Sequence, residues 1–292
     1  MLKSKSETVS SPKPQGSSTA VTFSTLQSWY ENNGRHDLEW RKTRDPWIIL
    51  VSEIMLQQTP VARVEKVFNS FIDRFPNPEA MATSTLADVI RLWDRLGYPR
   101  RARNLYASSL IIHNDGWPSP DFYETLPGVG TYTASALRSL TSQFCAVNES
   151  NFANDVNISR VCSRMLGTTT KSRTTLYTVY KKISRGLDAR DATLAVMDLG
   201  SLVCRKKDPS CHTCPLKSGC IAKGELPGEA VSRQKPYVGS FRQQRGDLLA
   251  RLREKSVALA DADPLVVTSL LNEGFIRTTP KRVFLADGLK AN

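Results

Sequence analysis

This sequence of 292 residues predicts an all-α fold followed by a small C-terminal segment of different build. Three observations carry that expectation. From Phe23 to Cys220, apolar residues recur at helical spacing in one segment after another. The breaks between those segments are short and marked by Gly, Pro, Asn or Asp. After Cys220 the periodicity is lost, and the last part of the chain resumes as two short helical patterns and one hairpin pattern.

In chain order, residues 1–22 are rich in Ser, Lys, Pro and Thr and predict a disordered tail. FSTLQSWYENN predicts the first helix. PWIILVSEIMLQ and PVARVEKVFNSFIDRF follow, with Pro46 and Pro60 each at a first helical position. STLADVIRLWDRL, PRRARNLYASSLIIHN, TYTASALRSLTSQ, DVNISRVCSRML, RTTLYTVYKKISRGL and ARDATLAVMDLGSLVC continue the series. Residues 223–241 read as a linker. Residues 242–292 read as a basic segment of winged-helix outline: RGDLLARLRE, DPLVVTSLLNEGF, and a hairpin IRTTPKRVFLA turning at Thr279-Pro280.

With 40% hydrophobic and 23% charged residues, the chain can bury a core. Its formal charge of +12 points to an extended anionic partner, a nucleic acid before an acidic membrane surface. No stretch approaches the ~18 apolar residues of a membrane span, and the N-terminus has no apolar signal core, so a cytoplasmic location is expected. Four of six cysteines fall in CRKKDPSCHTCPLKSGC, spaced C-x6-C-x2-C-x5-C at Cys204, Cys211, Cys214 and Cys220. Under reducing conditions that cluster implies a metal site. Four thiolates hold either a tetrahedral zinc or a [4Fe–4S] cube, and the longer arms suit the cube. Cys145 and Cys162 are expected to be buried structural thiols.

Three further places bear chemistry. In LPGVGTYTA, two glycines two residues apart open a helix, so backbone N–H groups and a positive dipole end can meet a phosphate. Glu53 has Ile49, Leu50, Ile54 and Leu56 as helical neighbours, a setting that raises a carboxyl pKa. Asp155 opens DVNISRVCSRML at a helix N-cap, which is expected to hold it ionised with a low pKa. Two carboxyls with pKa values pushed apart suit an acid and a charge-stabilising base.

SEIMLQQTPVARV, LWDRLGYPRRARNL, LPGVGTYTA, DVNISRV and the cysteine loop occur in the order found in the endonuclease III superfamily of DNA base-excision glycosylases, and together resemble its MutY-type adenine glycosylases. The resemblance implies a two-lobed helix-hairpin-helix fold. Residues 46–148 would form a six-helix lobe, and 23–45 with 149–222 a second lobe carrying a [4Fe–4S] cluster on the four cysteines. It implies that Glu53 protonates adenine, that Asp155 stabilises the oxocarbenium-like sugar, and that Asn157 helps hold the site. Tyr132 stands where strand-cleaving relatives carry a lysine, which implies a monofunctional enzyme with the hydroxyl free to bond at the sugar or Asp155. Gln57, Gln58, Thr59, Tyr98, Arg100, Gly128, Val129 and Gly130 fall at DNA-contacting positions, with Gln58 and Tyr98 as wedges. The implied partner is duplex DNA with adenine opposite 8-oxoguanine or guanine, bound by a monomer.

The chain departs from the pattern in three ways. Pro99 replaces a second tyrosine, only about 70 residues follow Cys220, and the family's Phe-Ser-His triplet is absent, the histidines being His36, His113 and His212. A thymine or uracil mismatch glycosylase of the same superfamily remains an alternative. So does an iron–sulfur DNA-binding regulator.

Overall fold

Val21–Asn33 forms the first helix, α1, of a computed structural model that describes residues 21–143, 145–227 and 236–288. The predicted tail thus lies almost wholly outside the described residues, as does the middle of the predicted linker. Helices α2 (Pro46–Leu56), α3 (Val61–Arg74), α4 (Pro78–Ala82), α5 (Leu86–Trp93), α6 (Pro99–Asp115) and α7 (Thr131–Thr141) follow. Then come α8 (Val156–Leu166), α9 (Arg173–Ile183) and α10 (Ala189–Asp198), the last running into a π-helical turn at Leu199–Val203.

Local chemistry accounts for these boundaries. The Asp45 carboxylate accepts from the Trp47 and Ile48 amides, and Pro46 supplies a preset φ at the first position of α2. Thr85 and Asp88 close a reciprocal capping box on α5. Val64, Phe68 and Phe71 form the buried stripe of α3. Pro60 is the residue before α3, not its first turn as expected. The sequence reading also missed α4, whose five residues are too few to show a period; Asn77 caps it and it packs along α6.

Helix α2 is buried on nearly every side, against α3, α6 and α7. Elsewhere α8 and α1 pack on α9 and α10, while α7 touches both α2 and α10. Asp198, fully buried, receives Arg35 and Arg41 and fastens the segment after α1 to the end of α10. Burial would raise its pKa, but hydrogen bonds and charge from Arg41 and Arg35 hold it below the usual carboxylate range. Cys162 is buried as expected, whereas Cys145 is exposed, because it lies beyond the end of α7 and not in a packed helix.

The C-terminal part comprises α11 (Phe241–Glu254), β1 (Val257–Ala258), α12 (Pro264–Asn272), β2 (Ile276–Thr278) and β3 (Arg282–Leu285). The three strands form an antiparallel sheet in the order β1-β3-β2. Helix α11 starts at Phe241 because Ser240 caps it, so it takes over the end of the predicted linker. The sequence reading missed β1, a strand of two residues. Leu248, Leu249, Leu252, Val266, Leu270, Phe275 and Val283 fill the core of this part. No described helix is long and apolar enough to cross a membrane.

Candidate active site

Glu53 lies in the last turns of α2 and is 5% exposed. Tyr132, in the first turn of α7, donates its hydroxyl to Glu53 Oε2 at 2.8 Å. Burial pushes the Glu53 carboxyl up to about 7; the Tyr132 hydrogen bond opposes the shift, and the negative charge of Asp155 adds to it. Burial, with the charge of Glu53, also drives the Tyr132 phenol well above its usual value. Near neutrality this constellation can therefore hold a proton on Glu53 and present it.

Asp155 caps α8 as predicted, accepting from the Ile158 amide at 2.6 Å. Its expected low pKa is corrected by the structure. Asp155 keeps a solvent-facing edge but is enclosed by protein on most sides, and that desolvation outweighs the donors at Ile158 and Asn157 and the charge of Arg160. The two carboxyls are thus shifted in the same direction. They differ in their donors: Asp155 accepts from the Ile158 amide and from Asn157, whereas Glu53 accepts from the Tyr132 hydroxyl. The Tyr132 hydroxyl turns to Glu53 instead of Asp155.

Asn157 Nδ2 donates to Asp155 Oδ2 at 2.7 Å. Arg160, which the sequence did not single out, donates to Asn157 Oδ1 (2.8 Å), Gly200 O (2.7 Å) and Cys204 O (2.7 Å). A Cβ on Gly200 would stand 2.7 Å from Asn157 Cβ, so glycine is required there for α8 to approach. The aspartate and the start of the cysteine loop are in this way fastened to one helix.

The helix N-termini show a pattern. Side-chain oxygens cap α2, α4, α5, α8, α9, α10, α11 and α12, but not α3, α6 and α7. Those three follow the Gln57–Thr59 turn, Tyr98 and the Gly128–Gly130 turn, the places the sequence assigned to DNA. The residues before these three helices place no side-chain oxygen on the first-turn amides, and although the Arg63 and Arg101 amides turn back to Pro60 O and Tyr98 O, such ends are suited to phosphate. Within the hairpin, whose first helix is a 3-10 turn at Pro120–Thr125, the Val129 amide is already spent on Leu126 O (3.0 Å) and its side chain is buried. Gly128 needs its φ of +81°, and a Cβ there would meet Asn104 Cβ at 2.9 Å. Gly130, the residue before α7, is extended and faces open space.

Gln58 (φ 56°) and Tyr98 (φ 47°) are both left-handed, a costly backbone for non-glycine residues that tends to cluster at functional sites. Gln58 is exposed and Tyr98 is 38% exposed. Gln57 instead reaches the hairpin, donating to Gly128 O (3.3 Å) and Thr133 Oγ1 (3.4 Å). Thr59 is buried and accepts from Arg101 Nη2 at 2.9 Å, so it holds the turn from beneath. Arg101 is the residue here that sequence reasoning missed. Its guanidinium donates to the carbonyls of Ile54 (3.0 Å), Met55 (2.8 Å) and Leu96 (2.9 Å), ending α2 and anchoring the Tyr98 loop together. It also lies over the Trp93 and Tyr98 rings, at 5.4 and 5.3 Å. Burial lowers its pKa to about 10, which leaves it charged. Arg100 points the other way, into an ion pair with Glu273 at 2.8 Å.

Cys204, Cys211, Cys214 and Cys220 line one cavity, together with Arg164, Val203, Lys217 and Lys223. Among the described residues no three Cys, His, Asp or Glu close on a single-ion site. Buried Arg164 donates to Cys204 Sγ (3.4 Å) and to the carbonyls of Arg205 (2.7 Å) and Lys206 (3.1 Å). A cavity with four soft donors and a cationic wall fits an anionic iron–sulfur cube.

Residues 51–184 match the HhH-GPD superfamily of base excision DNA repair proteins. The adenine DNA glycosylase of Mycolicibacterium smegmatis is 35% identical over 284 residues, covering 90% of this chain and 95% of that protein. The human adenine DNA glycosylase is 32% identical over 234 residues, 74% of this chain and 42% of its own. Among solved structures, a thermostable thymine-DNA glycosylase superposes with a TM-score of 0.60 at 26% identity, over 70% of this chain and 95% of that one. Endonuclease III in a non-covalent complex with DNA shares the fold at a TM-score of 0.56 and 20% identity, over 69% and 92%. With its helix-hairpin-helix turn, its paired carboxyls and a relative matched over almost its whole length, the chain belongs to the HhH-GPD superfamily of base excision DNA repair proteins, and within it to the adenine DNA glycosylase family.

Proposed function

We propose that this protein flips adenine out of a mispair with guanine or 8-oxoguanine and hydrolyses its N-glycosidic bond, leaving the strand uncut. The observation that carries the reading is the Glu53–Tyr132–Asp155 cluster: a carboxyl raised to about 7 beside a second, hydrogen-bonded carboxylate, with no amine at the Tyr132 position. Glu53 protonates the base, at N7, as the bond from C1′ to N9 breaks and its electrons go to the ring. The Asp155 carboxylate stabilises the positive sugar. Water adds to C1′ and loses its proton, giving free adenine and an abasic site.

The uncapped ends of α3, α6 and α7 take the phosphates, and Gln58 and Tyr98 fill the gap left by the flipped nucleotide. The lobes are 46–148 and 23–45 with 149–222, and the last part of the chain, as helix, helix and hairpin, is a winged-helix form. Cys204, Cys211, Cys214 and Cys220 hold a [4Fe–4S] cluster, which when bound cross-links the loop that Arg160 and Arg164 tie to α8. Purified protein should then contain about four irons and four labile sulfides per chain. One zinc and no iron would overturn that assignment.

The function is tested by incubating the protein with end-labelled duplexes carrying A opposite 8-oxoguanine, A opposite G, T opposite G and U opposite G, followed by alkali. Breakage confined to the adenine-containing strand of the first two supports the reading, and breakage at T or U refutes it. Gly130→Ala tests the hairpin. The free protein has room for the methyl group, so its melting temperature should not change, while affinity for matched and mispaired duplex should fall alike, by about tenfold. Unaltered affinity would remove the hairpin from the interface.

A further inference from the structure

The C-terminal part contributes none of the groups assigned above, yet it is seated against the loop that carries Tyr98. The Leu86 amide, at the start of α5, donates to Asp287 O at 3.1 Å. At the other end of that helix Arg253 Nε donates to Ile90 O at 3.2 Å, supplying a cation to an orphan C-terminal carbonyl. Arg253 also pairs with Asp94 at 3.6 Å. Glu273, at the end of α12, accepts Arg100 Nε on one oxygen and Arg245 Nη1 on the other, both at 2.8 Å. Burial alone would raise the Glu273 carboxyl; the hydrogen bonds from Arg100 and Arg245 outweigh it and hold the group below its usual range.

The loop so contacted is strained. Asp94 (φ 29°), Gly97 (φ 71°) and Tyr98 (φ 47°) all have positive φ within five residues, and such backbone persists only where the surroundings over-determine it. Arg101 and Trp93 Nε1, which donates to Gly97 O at 2.9 Å, hold the loop from inside. The outer supports come from the C-terminal part. Its second helix, PLVVTSLLN, has no Lys or Arg and ends on a carboxylate facing Arg100, so it is poorly made for reading DNA itself.

We propose that the C-terminal module is a brace for the wedge loop, with Glu273 and Arg253 as positioning residues that set where Tyr98 stands when DNA arrives. The proposal rests on Tyr98 being the wedge. It is tested on the full chain by a double-mutant cycle of Glu273→Ala and Tyr98→Ala, with Arg253→Gln as an independent second variant. Single-turnover excision, duplex affinity and the fluorescence of 2-aminopurine placed beside the mispair are followed.

Glu273→Ala and Arg253→Gln should each slow excision and base opening about tenfold while affinity stays within about threefold, because a slightly misplaced group costs rate before it costs binding. In the Tyr98→Ala background Glu273→Ala should have no further effect. Effects that multiply across the cycle, or affinity lost with the opening rate intact, would make the module a DNA-binding surface and overturn the brace. If Tyr98→Ala alone excises at the wild-type rate, the wedge assignment falls and the brace with it.

Discussion

Glu53→Gln is expected to slow single-turnover adenine excision by about 10²–10⁴-fold, the range lost with a general acid, and at about pH 8 to raise the melting temperature. Both effects have one cause. The folded protein holds this carboxyl at about 7, against 4.5 for the free side chain, because burial penalises the anion. Between those values the folded state binds more protons than the unfolded chain, so stability falls as pH rises, by something on the order of 3 kcal/mol in all. The loss is complete above about pH 7 and absent below about pH 4.5. Glutamine carries no charge at any pH, and its carbonyl can still accept the Tyr132 hydroxyl.

Melts at about pH 4 and pH 8 should therefore show a gain for Glu53→Gln at the higher pH alone. Wild-type kcat/KM should decline above about pH 7 as the acid ionises. Asp155→Asn should lose a similar factor in rate with duplex affinity nearly unchanged. A Glu53→Gln protein that excises normally, or is equally destabilised at both pH values, would show that Glu53 is a structural group and not the acid.

Tyr132→Lys should turn the enzyme into one that cuts the strand and forms an adduct trapped by borohydride, where the wild type does neither. The amine would stand in the first turn of α7, beside the positive end of a helix and shielded from water, conditions that lower a lysine pKa. Glu53, which now accepts the tyrosine hydroxyl, opposes this by favouring the ammonium form. Trapping should accordingly increase as pH is raised. Tyr132→Phe separates the two roles of the phenol. It cannot trap DNA, but it removes a hydrogen bond that lowers the Glu53 pKa, so the alkaline limb of the excision profile should move to higher pH. Strand cleavage by the wild type, or no adduct with Tyr132→Lys at any pH, would place Tyr132 away from the reacting sugar.

What the sequence by itself determined is what short stretches dictate. Glu53 could be recognised as a desolvated acid because the apolar residues on every side of it along α2 mark that helix as one surrounded by core. The Asp155 cap, the Gly-Val-Gly turn and the cysteine spacing are local in the same sense. So is the succession of helices, except where five residues of α4 were too few to show a period or Pro60 shifted a boundary by one position.

Only the tertiary structure decided how these pieces act on one another. The helix cap at Asp155 predicts a lowered pKa, but burial in the folded site outweighs the donors of the cap and reverses the sign. Arg100, Arg101 and Arg103 are equivalent in the string PRRARNL. Helical geometry turns Arg101 inward to end α2 and support Tyr98, and leaves Arg100 to pair with Glu273, 173 residues away. Desolvation, ion pairing and the satisfaction of orphan carbonyls depend on distance in space. Packing sets that distance, and adjacency along the chain does not.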